Sequence, residues 1–346
     1  MNTPAAGRYY WIDYLRTAAV CAVIMIHITG RYYASFGGIS ISMWWFANLL
    51  NSLSQFAVPV FVMISGFLLL GKKEEPVMFY RRRLKRVLIP LMFWTVFYCA
   101  CRYFWGGENQ GDLQGILLTT FLSGQAFYHL WYLLMFVWLL LYSPFFAGLL
   151  SGEGLPKSHR KPLFVVITAT ALTMFVVQFL NELGYEWHVF QAFPRYILYY
   201  LAGYVLGHST LGMAKKSYYF FAASLIALGL GLNYVVVSRF HVLTESPLFF
   251  AVGPFTMVLS LGVFIQFREG FAQRRPGRIV MLISECSFGI YLIHPFVIKV
   301  LDAVSQKFLG PVNPAVSIVI YFFGVLLLSL AGVMALRQTR LGRQIT

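Results

Sequence analysis

Charge is scarce in this chain. Of 346 residues only 11% are Asp, Glu, Lys or Arg, whereas a water-soluble globular domain carries roughly 25%. Acidic side chains are the rarest part, 12 against 27 Lys and Arg, and no polar stretch between the apolar runs is long enough to conceal a soluble domain. Cysteine is scarce too: Cys21, Cys99, Cys101 and Cys286 all fall within apolar runs. A disulfide scaffold is thereby excluded, and the four thiols read as small apolar fillers. No spacing of His and Cys matches a metal-ligand pattern, so no metal is expected. No small-residue cleavage motif follows the first apolar run, which makes it a retained helix rather than a removed signal peptide. Nothing repeats at a fixed period, and the two halves do not correspond in the way that marks many transporters.

What fills the chain instead is apolar. Hydrophobic residues make up 59% of it and the mean hydropathy is +0.70. Ten segments approach the length needed to cross a bilayer as helices: 10–28, 48–70, 84–105, 127–150, 163–180, 193–211, 218–237, 247–267, 279–301 and 314–336. The run 113–122 is too short to span and is expected at the interface or as a re-entrant piece. The expected fold is all-α: a polytopic membrane protein of about ten transmembrane helices, with residues 1–346 forming a single integral-membrane domain.

A net charge of +15 invites a nucleic-acid partner, but the placement of the cations decides against it. With the N-terminus inside, alternate loops on the inner side collect Arg8, the cluster Lys72, Lys73, Arg81, Arg82, Arg83, Lys85 and Arg86, then Lys157, Arg160, Lys161, Lys215, Lys216, Arg268, Arg274, Arg275, Arg278, Arg337, Arg340 and Arg343. The outer loops hold only Arg31, Arg102, Arg195, Arg239, Lys299 and Lys307. Cytoplasmic loops of membrane proteins gather positive charge, so this bias places both termini in the cytoplasm and agrees with an even number of spans. The surplus orients the protein in its lipid; no nucleic-acid partner is expected. Only the 72–86 cluster is dense enough to bind something as well.

The first span contains Asp13, Arg16 and His27, although each ionised group at bilayer centre costs roughly 2.5–3.5 kcal/mol on insertion scales. Arg16 and His27 are eleven positions apart, which is close to three helical turns, so both project along one face, about 16 Å apart in depth. Asp13 shares that face. The orientation gives the other polar residues a depth as well. His27 lies near the outer surface, as do Asn48, Asn51, Ser52 and Gln55, which follow three- and four-residue steps and form one polar stripe. His129 and His294 fall at similar depths. Glu285, nine residues before His294, sits on the opposite side of its helix. On the inner side lies the Arg-rich loop from Phe79 to Pro90, in which Arg83 and Arg86 can face a common cavity. Guanidinium groups present planar donor forks that match phosphates, so this side suits a polyanion. Each feature also has a structural reading: Asp13 and Arg16 neutralising one another, the histidines as anchors, the polar stripe as interhelical glue.

The pattern Trp11-Ile-Asp13-Tyr-Leu-Arg16, followed after ten intervening residues by His27, resembles the opening signature of the acyltransferase 3 family of integral-membrane O-acyltransferases. Val58-Pro-Val-Phe-Val-Met-Ile-Ser65-Gly66, the Phe79–Pro90 segment, His129-Leu-Trp131-Tyr132 and Ser287-Phe-Gly-Ile-Tyr291-Leu-Ile-His294-Pro295 are similar to later family motifs, in the expected order. The whole chain looks most like the short members that acetylate surface glycans. It departs from them at Gln55, where related sequences carry a basic residue. The resemblance implies an acetyl-CoA-dependent O-acetyltransferase of the plasma membrane, whose acceptor is a glycan or lipid-linked sugar. It implies donor contacts from Arg81, Arg83, Arg86 and Arg16, with catalysis by His27, Asp13 and Arg16. Substrate contacts are expected from Asn51, Ser52, His129, Tyr291 and His294. Whether His27 is a general base or carries the acetyl group is open at this point, as are two other readings: a multi-pass transporter of a small polar or sugar substrate, and a non-catalytic receptor.

Overall fold

The computed structural model describes residues 8–72, 74–105, 114–116, 120, 127–150, 189–208, 215–240, 253–308 and 313–346. Every regular element among them is helical: α1 (Tyr10–Tyr33), α2 (Ile41–Ser54), α3 (Ala57–Leu70), α4 (Pro76–Arg83), α5 (Lys85–Trp105), α6 (Trp131–Leu150), α7 (Val189–His208), α8 (Lys215–Phe240), α9 (Pro254–Gly270), α10 (Arg278–Phe308), α11 (Pro314–Leu336) and α12 (Gly342–Ile345). Six segments of the described residues are long and apolar enough to cross a membrane: Tyr10–Tyr33, Ile41–Leu70, Pro76–Phe104, Trp131–Leu150, Arg278–Lys307 and Pro314–Leu336. The expected span 163–180, and most of 113–122, lie outside the described residues.

Local chemistry sets the helix ends. Ser40 accepts from the Met43 amide to start α2, and Asn313 accepts from Ala315 with Pro314 at the first helical position to start α11. Gly37, at φ 82°, takes the left-handed conformation that turns the chain between α1 and α2. Two expectations are corrected. The stretch 48–70 is not one helix, because α2 ends at Ser54 and α3 begins at Ala57. Pro59 supplies the cause: its ring excludes the carbonyl four residues back, that of Gln55, and the chain breaks there. The Arg-rich segment is not a loop either. Glu75 caps the Met78 amide, Pro76 occupies the first turn, and residues from Pro76 to Arg83 are helical, followed at once by α5.

The chain divides into two compact units, one built from residues up to Ile64 and from Val205 to Gln344 with Thr346, the other from Ser65 to Tyr204 with Ile345. In the first, α1, α10 and α11 share a core. Val20, Ile24 and Ile28 follow a four-residue step on α1 and meet Ile283, Cys286, Ile290 and Val297 of α10, and Ile318, Val325 and Val333 of α11. Apolar burial drives helix association weakly in lipid, so close approach through small residues matters more. Gly289 of α10 is such a point: an added Cβ would stand 2.8 Å from Val333 of α11. In the second unit, Gly66 of α3 lies against the backbone of Tyr200 in α7, leaving no room for a Cβ. There the Ser143 and Tyr200 hydroxyls meet at 2.6 Å, and Tyr80 donates to the Leu141 carbonyl at 2.7 Å. Met92 and Val96 on α5, and Ile320, Phe323 and Leu327 on α11, are exposed, as a lipid-facing surface requires.

Candidate active site

The first unit brings two of the expected histidines together. His27 of α1 and His294 of α10 stack with ring centroids 5.1 Å apart and an interplanar angle of 28°. His294 occupies the seam position between Ile290 and Val297, where an apolar residue would continue the core, and it is fully buried. Its Nδ1 lies 2.7 Å from the Tyr291 carbonyl oxygen. A carbonyl only accepts, so Nδ1 carries the proton and Nε2 is left as the basic atom. The Tyr291 ring lies 6.0 Å from that of His294. His27 is half-buried. Arg16 lies three turns back on the same unbroken helix and is also half-buried.

The polar stripe of α2 ties this pair to its surroundings. The Asn51 amide donates to the Ile26 carbonyl at 3.2 Å, next to His27, and to the Thr29 hydroxyl at 3.1 Å. Gln55 donates to Asn51 and Ser52 donates to Asn48. Asn48 in turn accepts from Asn233 of α8, which accepts from Tyr33 of α1. Asn51 is therefore committed to bonds across to α1 beside His27, whereas Ser52 bonds within α2, to Asn48.

At the other end of α1, Asp13 is buried and held by Arg8, through two bonds of 2.8 and 3.0 Å, and by the Ser284 hydroxyl at 2.8 Å. Arg8 also reaches Glu285 at 3.1 Å. The sequence missed this cluster. Arg8 counted only as a loop cation, and its partners stand five and 277 residues away, so no local spacing links all three. The hydrogen bonds to Asp13 hold the Arg8 pKa above the ordinary guanidinium value, against the opposing effect of burial. Glu285, opposite His294 on helix periodicity, belongs to this end.

The remaining expected residues lie in the second unit. His129 precedes α6 and is buried edge-on against Tyr98, centroids 5.0 Å apart, and Phe127. Arg81 and Arg86 are exposed, whereas Arg83 turns inward to Glu74 at 3.3 Å with its Nε buried and unbonded. No group of three or more His, Cys, Asp or Glu suited to a metal ion occurs among the described residues.

Apolar helices that show aliphatic faces outward and keep an imidazole pair and a buried aspartate among them define an integral-membrane helical protein. Residues 9–334 match the family model described as an acyltransferase domain, so the chain belongs to the acyltransferase 3 family and is a membrane acyltransferase. Neither the search of curated proteins nor that of solved structures returned a match.

Proposed function

We propose that this acyltransferase moves an acetyl group from cytoplasmic acetyl-CoA to a hydroxyl of a glycan or lipid-linked sugar at the outer face of the plasma membrane, as the short glycan O-acetylating members of its family do. In this reading the chain is one domain of about ten spans with both termini in the cytoplasm. The stacked pair of His27 and His294, three turns along α1 from Arg16, is the observation that carries it.

Arg81, Arg83 and Arg86 are assigned to the donor's phosphates through charge-assisted bonds, and Arg16 is assigned to the donor by the family resemblance of its motif on α1. Asp13 fixes the donor end of α1 through Arg8 and Ser284. His27 removes the proton from the attacking hydroxyl, whose oxygen bonds to the thioester carbonyl carbon. The carbon–sulfur bond then breaks, and the proton passes to the departing thiolate, leaving the ester and free CoA. The Tyr291 hydroxyl donates to the developing oxyanion, His294 receives an acceptor hydroxyl at its basic Nε2, and Asn51 and Ser52 hold the acceptor's wall; His129, in the other unit, is assigned to the substrate by the family resemblance of its motif. The His27→Ala variant is expected to lose acetylation by at least about 100-fold with unchanged expression and membrane insertion. Mass spectrometry of surface glycans from cells carrying each form reads this, and retained acetyl groups would reject the assignment.

A further inference from the structure

One turn beyond His27, Arg31 stands in the last turn of α1. Its Nη1 pairs with Asp302 of α10 at 2.7 Å, its Nε reaches the Ile28 carbonyl at 3.3 Å, and its guanidinium carbon lies 4.3 Å from the centroid of Tyr321 on α11. The guanidinium plane is thus fixed by three separate helices. Yet its Nη2 is shielded from solvent and has no hydrogen-bond partner. A buried donor left unmade costs roughly 1–3 kcal/mol, a cost that a small movement of the guanidinium towards a ligand hydroxyl would relieve. Screening does not remove the pair from contact with ligands, because the side chains of Arg31 and Asp302 are 36% and 34% exposed. The pair carries no net charge and offers a donor beside an acceptor. An anion would meet the repulsion of Asp302; two neighbouring hydroxyls, one accepting from Arg31 and one donating to Asp302, match it.

We propose that Arg31 and Asp302 form a recognition subsite for an uncharged sugar through its vicinal hydroxyls. The proposal rests on the acyl-transfer reading only for its use: Arg31 stands one helical turn along α1 from His27.

The test uses the purified full chain in detergent and calorimetry with three neutral probes (maltose, sucrose and chitobiose) and two anionic ones (glucose 1-phosphate and glucuronate). At least one neutral probe is expected to bind saturably. Arg31→Gln and Asp302→Asn are each expected to weaken that binding by about tenfold or more, the scale of one hydrogen bond to a charged group, with acetyl-CoA binding unchanged. Arg31→Lys keeps the charge and the ion pair but removes the fork, so a merely structural pair predicts wild-type binding and the subsite predicts loss. Wild-type binding by the Lys variant, tighter binding of an anionic probe, or no neutral probe bound would each overturn the subsite. Acyl transfer is judged separately by CoA release: sugar binding without release sinks that reading alone, and release that the variants leave untouched sinks the subsite alone.

Discussion

Asp13 illustrates how a charged residue is kept inside a bilayer-sized helix. Its two oxygens accept from one guanidinium, a bidentate geometry stronger than a single bond, and a serine hydroxyl adds a third contact. Arg8 itself is 40% exposed, so solvent screens the pair and the hydrogen bonds decide its worth. Asp13→Asn is expected to cost about 1–2 kcal/mol, seen as a lower melting temperature in detergent, whereas Glu285→Gln, at a side chain 53% exposed, should change it little. At this scale the sequence was informative about which residues matter and less so about whom they touch. Asp13, His27 and His294 stood out because membranes host such groups rarely. Their partners Arg8, Ser284 and Tyr291 were invisible or ambiguous, since the first pairing depends on the backbone just before α1, the second on how α1 crosses α10 and the last on a ring torsion.

Elements were legible where composition and end signals agreed. α11 spans the residues its apolar run and its Asn313-Pro314 start indicate. The break between α2 and α3 was written in Pro59, but uninterrupted hydropathy across 48–70 masked it. The basic segment misled for the opposite reason: crowded arginines read as loop, while Glu75 and Pro76 carry the helix-start signal. Packing between elements is where glycines separate into two kinds. Gly66→Ala forces α3 away from the Tyr200 backbone and is expected to destabilise by about 1–3 kcal/mol, with less protein recovered from membranes. Gly30→Ala meets nothing within 4 Å and, in the interior of α1, should be neutral or stabilising by up to about 1 kcal/mol. Thermal unfolding of both variants side by side checks the contrast; equal losses would show that close approach is not what Gly66 provides.

For the whole molecule the informative quantity is where charge sits rather than how much there is. The cationic loops alternate with loops that hold few cations, and this pattern alone led to an orientation. A fluorescent protein fused after Thr346 is therefore expected to fluoresce and alkaline phosphatase fused there to stay inactive. The reverse pair of results would invert the assignment of donor and acceptor sides. The depths that follow from this orientation put His27, His129 and His294 at one level, and the structure stacks the first and the last of them. Neighbourhood was not readable from the sequence, because alternation fixes the direction of each helix but says nothing of which helices lie side by side.

α1 runs without proline or glycine from Arg16 to His27, so the two groups proposed to act at its ends belong to one stiff rod. Phase along that rod is consequently a hidden constraint. Inserting or deleting a single residue between them turns the imidazole by about 100° relative to the guanidinium, even though every side chain that does chemistry is still present. The interval between the two ends should thus tolerate exchange of one apolar residue for another far better than any change in its length.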